Sequence, residues 1–559
     1  MGLNPSEAWW RSAVLYQVYA RSFADADGDG VGDLEGIAGH LDHLRGTPDS
    51  LGVDGIWLSP IYPSPQADFG YDISDHCGID PVYGDLAAFD RLVTGAHGRG
   101  LRVLMDLVPS HTSEEHPWFR AARRSRRDPL RALYIWADPA PDGGPPNNWT
   151  AAFGGSAWEL DEPSGQYYLH SFYREQPDLN WRSPAVHERL GEVVRFWLQR
   201  GVDGFRVDAI DRSIKDLRLR DNPPVPPGYE GRFLSVQGQL HIWNKSRPET
   251  LDVVRSLRTA TESVRPDAML LGEAYVPIET LGRYFGTADR PGFHLAFDFG
   301  FIYAPWDAAW LRMAVDAAEA HLPDHAWPCR ALSNHDNPRH GTRFGTAALR
   351  AAAVLELTLR GTPVLYMGEE IGMVDVESAP GAAFDRAGRD TSRTPMQWSA
   401  GPGGGFTLGK PWLPLGDTAA VNVADQRTDG SSLLALYRDL LRVRSASAAL
   451  ALGSHRSLDV PVESGVFAYL REAGAERMLV AVNCSSAPVT LDLVAAGHGR
   501  VEPSAQSSSS ADQGPARPAF VLPTAPSLIL STVVDRTRGD GIDLRRMELT
   551  PNEAVIVRL

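Results

Sequence analysis

Seven short apolar runs, each closing on polar residues and separated by longer helical patterns, constrain this chain more than any other feature. They lie near Leu15 to Tyr19, at Val53 to Leu58, Leu101 to Val108, Val202 to Asp208, Met269 to Glu273, Ala331 to Asp336 and Pro363 to Glu369. Helical patterns such as Leu86 to His97 and His187 to Gln199 fall between them. Apolar strands alternating with helices imply a parallel sheet covered on both faces. Acidic and polar residues recur at the carboxyl ends of the strands, where a (β/α)8 barrel places its chemistry. The expected fold is therefore α/β, a (β/α)8 TIM barrel.

Two regions break the alternation. Residues 109–181 are rich in Trp, Tyr, Pro and Gly and read as an irregular insertion after the third strand. From 447 onward the texture changes to short β-like runs such as Val466 to Leu470 and Met478 to Val482, which predict a C-terminal antiparallel β-sandwich over 447–559. The barrel then comprises 1–108 and 182–446. Ser504 to Arg517 reads as a flexible loop, being rich in Ser, Pro and Gln.

Composition removes several classes of partner. With 54 basic against 70 acidic residues the net charge is −16, which argues against nucleic acid or an anionic membrane. The three cysteines, Cys77, Cys329 and Cys484, lack metal-ligand spacing and point to a reducing, cytoplasmic compartment. No apolar run approaches membrane-spanning length, and Glu7 and Arg11 interrupt any signal-like start. The expected partner is a small neutral molecule, with the protein a monomer or homodimer.

The chemistry resides in three acids. Arg206 and Asp208 are two apart on one strand, so they emerge on the same face, and the cation is expected to keep Asp208 ionised. An ionised carboxylate on a rigid strand suits a nucleophile. Glu273 follows Gly272 at another strand end, where partial desolvation raises a carboxyl pKa and suits a proton donor. Retaining cleavage of a glycoside needs such a pair about 5–5.5 Å apart. Asp336 follows His335, and together they suit gripping sugar hydroxyls and a cationic transition state.

These residues resemble the α-amylase clan of glycoside hydrolases (family thirteen), and within it the α-glucosidase and oligo-1,6-glucosidase branch. The resemblance rests on Asp106 to Ser113, Gly204 to Asp208, Gly272-Glu273-Ala274, Ser333 to Asp336, Gln176 to Trp181 and Arg393 to Trp398. It implies Asp208 as nucleophile, Glu273 as acid/base and Asp336 as transition-state stabiliser. It also implies that Asp68, Tyr71, His111, Phe172, Gln176, Arg206, His335 and Arg393 line the pocket for the terminal glucose. Asp68 and Arg393 would pair to block its far end and make the enzyme exo-acting. The branch usually has asparagine where Ser110 stands.

The acidic loop Asp25 to Asp33 places oxygen ligands at alternate positions with glycines between them, which suits a hard divalent cation. It begins like an EF-hand loop, but the twelfth position is Gly36 rather than a glutamate. The resemblance implies a structural Ca2+ or Mg2+ held by Asp25, Asp27, Asp29, Asp33 and the Val31 carbonyl, with no organic cofactor. The implied activity is that of a retaining α-glucosidase acting on short α-glucosides, α-1,4 favoured, with transglucosylation when a sugar replaces water. Ala209, beside the nucleophile, leaves linkage open. An oligo-1,6-glucosidase and a sucrose- or trehalose-directed hydrolase or isomerase are the enzymic alternatives; a catalytically silent sugar-binding barrel is the non-enzymic one. The segment Asn222 to Glu249, with His241 and Trp243, is expected to cover the leaving-group side.

Overall fold

The computed structural model describes residues 8–229, 231, 233–377, 384–496, 526–533, 536 and 542–559. The loop expected at Ser504 to Arg517 lies outside the described residues. Eight parallel strands form one sheet: β1 (Leu15–Val18), β2 (Gly55–Leu58), β3 (Arg102–Leu107), β4 (Gly204–Val207), β5 (Met269–Gly272), β6 (Leu295–Ala296), β7 (Cys329–Arg330) and β8 (Thr362–Tyr366). Their spatial order is β6-β5-β4-β3-β2-β1-β8-β7. A parallel bridge between Phe297 and Cys329 joins the two edges and closes the barrel.

Strand parity explains both the core and the site. Leu15, Trp57, Leu104, Met269, Leu271, Leu295, Cys329 and Val364, drawn from around the ring, form one buried cluster that fills the barrel. Their chain neighbours Tyr16, Ile56, Val103, Met105, Leu270, Ala296 and Leu365 belong to a different cluster, packed against the helical shell. Successive strand residues face opposite sides. The inward series therefore runs Leu104 to Asp106, Gly204 to Arg206 to Asp208, and Met269 to Leu271 to Glu273. Register places Arg206 beside Asp106 on β3 and Leu271 on β5. Gly204 begins β4 because its neighbour is backbone: a Cβ there would sit 2.2 Å from the Met269 carbonyl oxygen.

The helix Leu86–Gly98 starts on Asp85, whose carboxylate accepts from the Ala88 N–H. It buries Phe89, Leu92, Val93 and Ala96, spaced three and four apart, against the barrel wall. The expected helix at His187 begins earlier, at Pro184, and runs to Gln199. Strand β6 carries no usable periodicity in its two residues, and the strand expected over Ala331 to Asp336 is displaced: β7 ends at Arg330, and 331–336 follow it as irregular chain that carries His335 and Asp336.

Within 109–181 a three-stranded antiparallel sheet orders Trp136–Ala137, Gln166–Leu169 and Trp158–Asp161. At the C-terminus, β9 (Ser454–Ser457), β10 (Val466–Ala473), β11 (Glu476–Asn483), β12 (Ser527–Ser531) and β13 (Ala554–Arg558) form an antiparallel sheet in the order β9-β10-β11-β13-β12. The pair Val489–Leu491 and Met547–Leu549 packs on one face of it, through a core that includes Ala468, Leu470, Leu479 and Val557. Phe467, Tyr469, Val480 and Ile556 point the other way and join the barrel core. No helix among the described residues is long and apolar enough to cross a membrane.

Candidate active site

A cavity of about 300 Å³ opens at the carboxyl ends of the strands and is lined by Asp68, Tyr71, His111, Phe172, Asp208, Glu273, Asp336 and Arg389, among others. At its base lies Arg206, fully buried. Its Nη1 donates to Asp106 Oδ1 at 2.8 Å and to Asp208 Oδ1 at 2.6 Å, and its Nη2 donates to Glu273 Oε1. One guanidinium thus serves three carboxyl groups. A single positive charge cannot neutralise three buried negative ones, so protons are retained there.

Burial lifts the Asp106 carboxyl to about 6 against the pull of Arg206. Burial likewise lifts Asp208 to about 7, the Arg206 charge opposing it. This differs from the expectation that Arg206 simply holds Asp208 ionised: the arginine is shared, and Asp106 and Asp336 push the other way. Burial raises Glu273 well above the usual glutamate range. A hydrogen bond with Glu273 favours ionised Asp208, which makes Glu273 the proton holder of the pair. The Ala209 N–H fixes Glu273 by donating to Oε2 at 3.0 Å. Ala209 itself adopts φ +38°, the left-handed region, in which a β-branched residue would be more strained.

Asp336 is the opposite case. Burial would raise it, but His335, Arg389 and Arg393 together hold it below the usual carboxylate range. Arg393 Nη2 and Arg389 Nη1 reach Asp336 Oδ1 at 2.9 and 3.1 Å. His335 is kept neutral by burial. Gln17 Nε2 lies 2.7 Å from its Nδ1, so the ring proton belongs on Nε2, facing the Tyr71 hydroxyl at 2.6 Å. Tyr71 then donates onward to Asp106 Oδ2 at 3.1 Å.

His111 Nε2 lies 3.0 Å from Gln176 Nε2, and Gln176 also donates to Asp68 Oδ2 at 2.9 Å. Ser110 contributes here: its hydroxyl lies 2.8 Å from His111 Nδ1 and fixes the ring. Phe172 packs its ring 5.2 Å from His111.

One expected pairing is corrected. The guanidinium on Asp68 belongs to Arg389, at 2.5 Å, not to Arg393. The two arginines flank the tight turn Asp390–Ser392, and Arg393 is committed to the His335 carbonyl at 2.7 Å and to Asp336. Arg389 also binds Asp385, at 2.8 Å, and so ties Asp68, Asp336 and Asp385 together at one end of the cavity. Arg389 carries no sequence signal that sets it apart from Arg393, four residues further on. Asp106 is a further functional residue, and its signal is its position as the inward residue in register with Arg206.

In the acidic loop, Asp25, Asp27 and Asp29 bring carboxylate oxygens within 4.8 Å of one another. Three hard oxygen donors fit a divalent cation such as Ca2+ or Mg2+. Asp33 falls outside this group. It caps the helix Leu34–Gly39, accepting from the Gly36 N–H at 2.7 Å and the Ala26 N–H at 2.8 Å. The Val31 N–H donates to Asp29 Oδ1 at 2.7 Å.

A protonated buried carboxyl beside a second carboxyl, with a third held ionised by two arginines at a barrel's carboxyl end, is the constellation of a glycoside-cleaving enzyme. The comparisons agree. A family model described as alpha amylase, catalytic domain, matches residues 17–453. A probable alpha-glucosidase of Rhizobium meliloti is 41% identical over 517 residues, covering 88% of this chain and 92% of that protein. An oligo-1,6-glucosidase of Heyndrickxia coagulans is 36% identical over 535 residues, covering 87% and 93% respectively. The crystal structure of an alpha-glucosyl transfer enzyme, XgtA, superposes with TM-score 0.87 at 39% identity, covering 99% of this chain and all of that one. This chain belongs to the alpha-amylase family of glycoside hydrolases.

Proposed function

We propose that the protein is a retaining, exo-acting α-glucosidase that releases α-glucose from the non-reducing end of short α-glucosides. The observation that carries this reading is the Asp208–Glu273 pair on Arg206, set in a cavity whose one end is closed by Asp68 and Arg389. Glucose sits with its outer hydroxyls against that closed end, so only a chain terminus fits. Asp208 attacks the anomeric carbon while Glu273 gives its proton to the leaving oxygen. Glu273, now ionised, takes a proton from water, and the hydroxide so formed releases the sugar from Asp208 with retention. A sugar hydroxyl in place of water gives transglucosylation. Asp336, ionised throughout, holds sugar hydroxyls and favours the cationic transition state.

A divalent ion at Asp25, Asp27 and Asp29 is part of this reading; it would stabilise the loop and takes no part in the chemistry. A cytoplasmic location is supported by three free cysteines, Cys77, Cys329 and Cys484.

A product assay on maltose, isomaltose, sucrose and trehalose tests the assignment. Glucose release with maltose turned over fastest is the expected outcome. Faster turnover of isomaltose, sucrose or trehalose would move the protein to another specificity of the family, and no turnover of any of them would revive the silent-barrel reading.

A further inference from the structure

The cavity has a second wall that the mechanism leaves unused. It follows the nucleophile directly, in the turn Ile210–Arg212, and is backed by Lys245. Arg212 is 5% exposed and Lys245 4% exposed, and both line the cavity. Neither shares a hydrogen bond or ion pair with Asp68 or Arg389. Lys245 lies close enough to Glu273 for their charges to interact. Glu273 protonates the leaving oxygen, so this wall flanks the leaving group.

The charges behind this wall do not balance. Lys215 pairs with Asp178 at 2.8 Å, and Lys245 with Asp211 at 3.3 Å. Among the described residues no carboxylate lies within 4 Å of the Arg212 guanidinium. Its one polar contact is His241 Nδ1 at 3.4 Å, and its flat face lies 5.9 Å from the Phe172 ring. His241 offers no compensating charge, since burial pulls it down to about 3 and keeps it neutral. Three cations, Arg212, Lys215 and Lys245, thus stand against two carboxylates, Asp178 and Asp211. Lys245 has three N–H donors; one goes to the Phe233 carbonyl at 2.7 Å, and Asp211 faces the ammonium at ion-pair distance, 3.3 Å. Buried cations are ordinarily paired. An unpaired guanidinium at a cavity wall, with a spare ammonium proton beside it, is a receptor for an anion.

We propose that Arg212 and Lys245 read a negative charge on the leaving group, and that the preferred substrates are α-glucosides whose leaving group carries a carboxylate or a phosphate. This deepens the α-glucosidase reading and rests on it. The competing explanation is that Arg212 merely offsets the catalytic carboxylates, in which case its loss affects neutral and anionic substrates alike.

The test compares kcat/KM for maltose, maltobionate (the same disaccharide with its reducing sugar oxidised to a carboxylate) and the disaccharide phosphorylated on its leaving-group glucose. Charge-assisted hydrogen bonds predict a preference for at least one anionic substrate of roughly ten- to hundredfold. The stronger of the two preferences distinguishes carboxylate from phosphate. In Arg212→Met and Lys245→Met the ratio of anionic to neutral kcat/KM should fall toward one, mainly through KM, with partial recovery in Arg212→Lys. A wild-type ratio at or below one for both anions, with maltose still hydrolysed, overturns the inference and leaves the α-glucosidase reading intact. A ratio unchanged by both Met variants also overturns it. Should those variants fail to fold, the wild-type ratio and its decline with added salt decide the matter. No glucose from any of the three, together with no binding of them to Glu273→Gln by calorimetry, overturns both readings.

Discussion

Arg206 controls the chemistry because three carboxyls compete for it. Asp106 and Asp208 share Nη1 at 2.8 and 2.6 Å, and Glu273 takes Nη2. Burial raises all three carboxyls, and the arginine offsets that rise only in part. The working state keeps the proton on Glu273 and the charge on Asp208. As pH falls, Asp208 takes up a proton and attack stops; as pH rises, Glu273 loses its proton and the leaving group is stranded. The rate therefore follows a bell whose limbs belong to the coupled pair rather than to either residue alone. In Glu273→Gln, hydrolysis of natural disaccharides should drop by about 10²–10⁴-fold. With an aryl α-glucoside, whose leaving group needs little protonation, the basic limb should vanish. Persistence of that limb in kcat/KM profiles would remove Glu273 from the acid role. At this scale much could be read beforehand, because Arg206 and Asp208 are two apart on one strand. The Arg389–Asp68 contact could not, since spacing along a turn does not say which of two arginines reaches across the cavity.

Parity and close backbone approach explain how the strands and loops deliver these side chains. Asp106, Arg206, Asp208 and Glu273 continue the inward series begun by Leu104, Gly204 and Met269, so the apolar filling of the barrel and its polar rim are one pattern. The same pattern made six strands legible; it hid β6, whose two residues show no alternation, and it set the remaining run at Ala331 to Asp336, just past the two-residue β7. The acidic loop is held by contacts rather than by charge alone. Gly30, at φ +98°, approaches so closely that a Cβ would lie 2.0 Å from the Lys410 carbonyl oxygen. Thr407 donates its hydroxyl to Asp25 at 2.5 Å. The loop thereby couples the end of β1 to residues 407–410. With an ion bound at Asp25, Asp27 and Asp29, chelation should lower the melting temperature by roughly 2–4 °C, and added Ca2+ or Mg2+ should restore it. Identical melting curves with chelator and with either ion would show that the loop stands without one. The EF-hand-like spacing exposed the cluster in the sequence. It could not reveal that Asp33 is taken by the helix cap, because an N-cap aspartate and a ligand aspartate look the same in a string of residues.

Across the whole molecule, three units divide the work. The barrel supplies the acids, and the insertion supplies His111, Phe153 and Phe172 to the cavity wall. The C-terminal sheet buries Phe467, Tyr469 and Val480 against the barrel, where the Tyr469 hydroxyl lies 2.6 Å from Thr358 Oγ1. Barrel, insertion and sheet were legible because their textures differ: long alternation, a Trp- and Gly-rich interruption, then short β runs. The leaving-group wall was legible only in part: the segment Asn222 to Glu249, which contains Lys245, was expected there, but Arg212 is distant from it in sequence and ordinary in pattern, and only the fold brings the two together. The central claim is that double displacement proceeds through Asp208. Its most direct test is trapping with a slow fluorinated α-glucosyl fluoride, followed by mass mapping of the peptides. A single glucosyl adduct on Asp208 is the predicted result. An adduct on any other residue, or turnover that releases β-glucose first, would contradict the account.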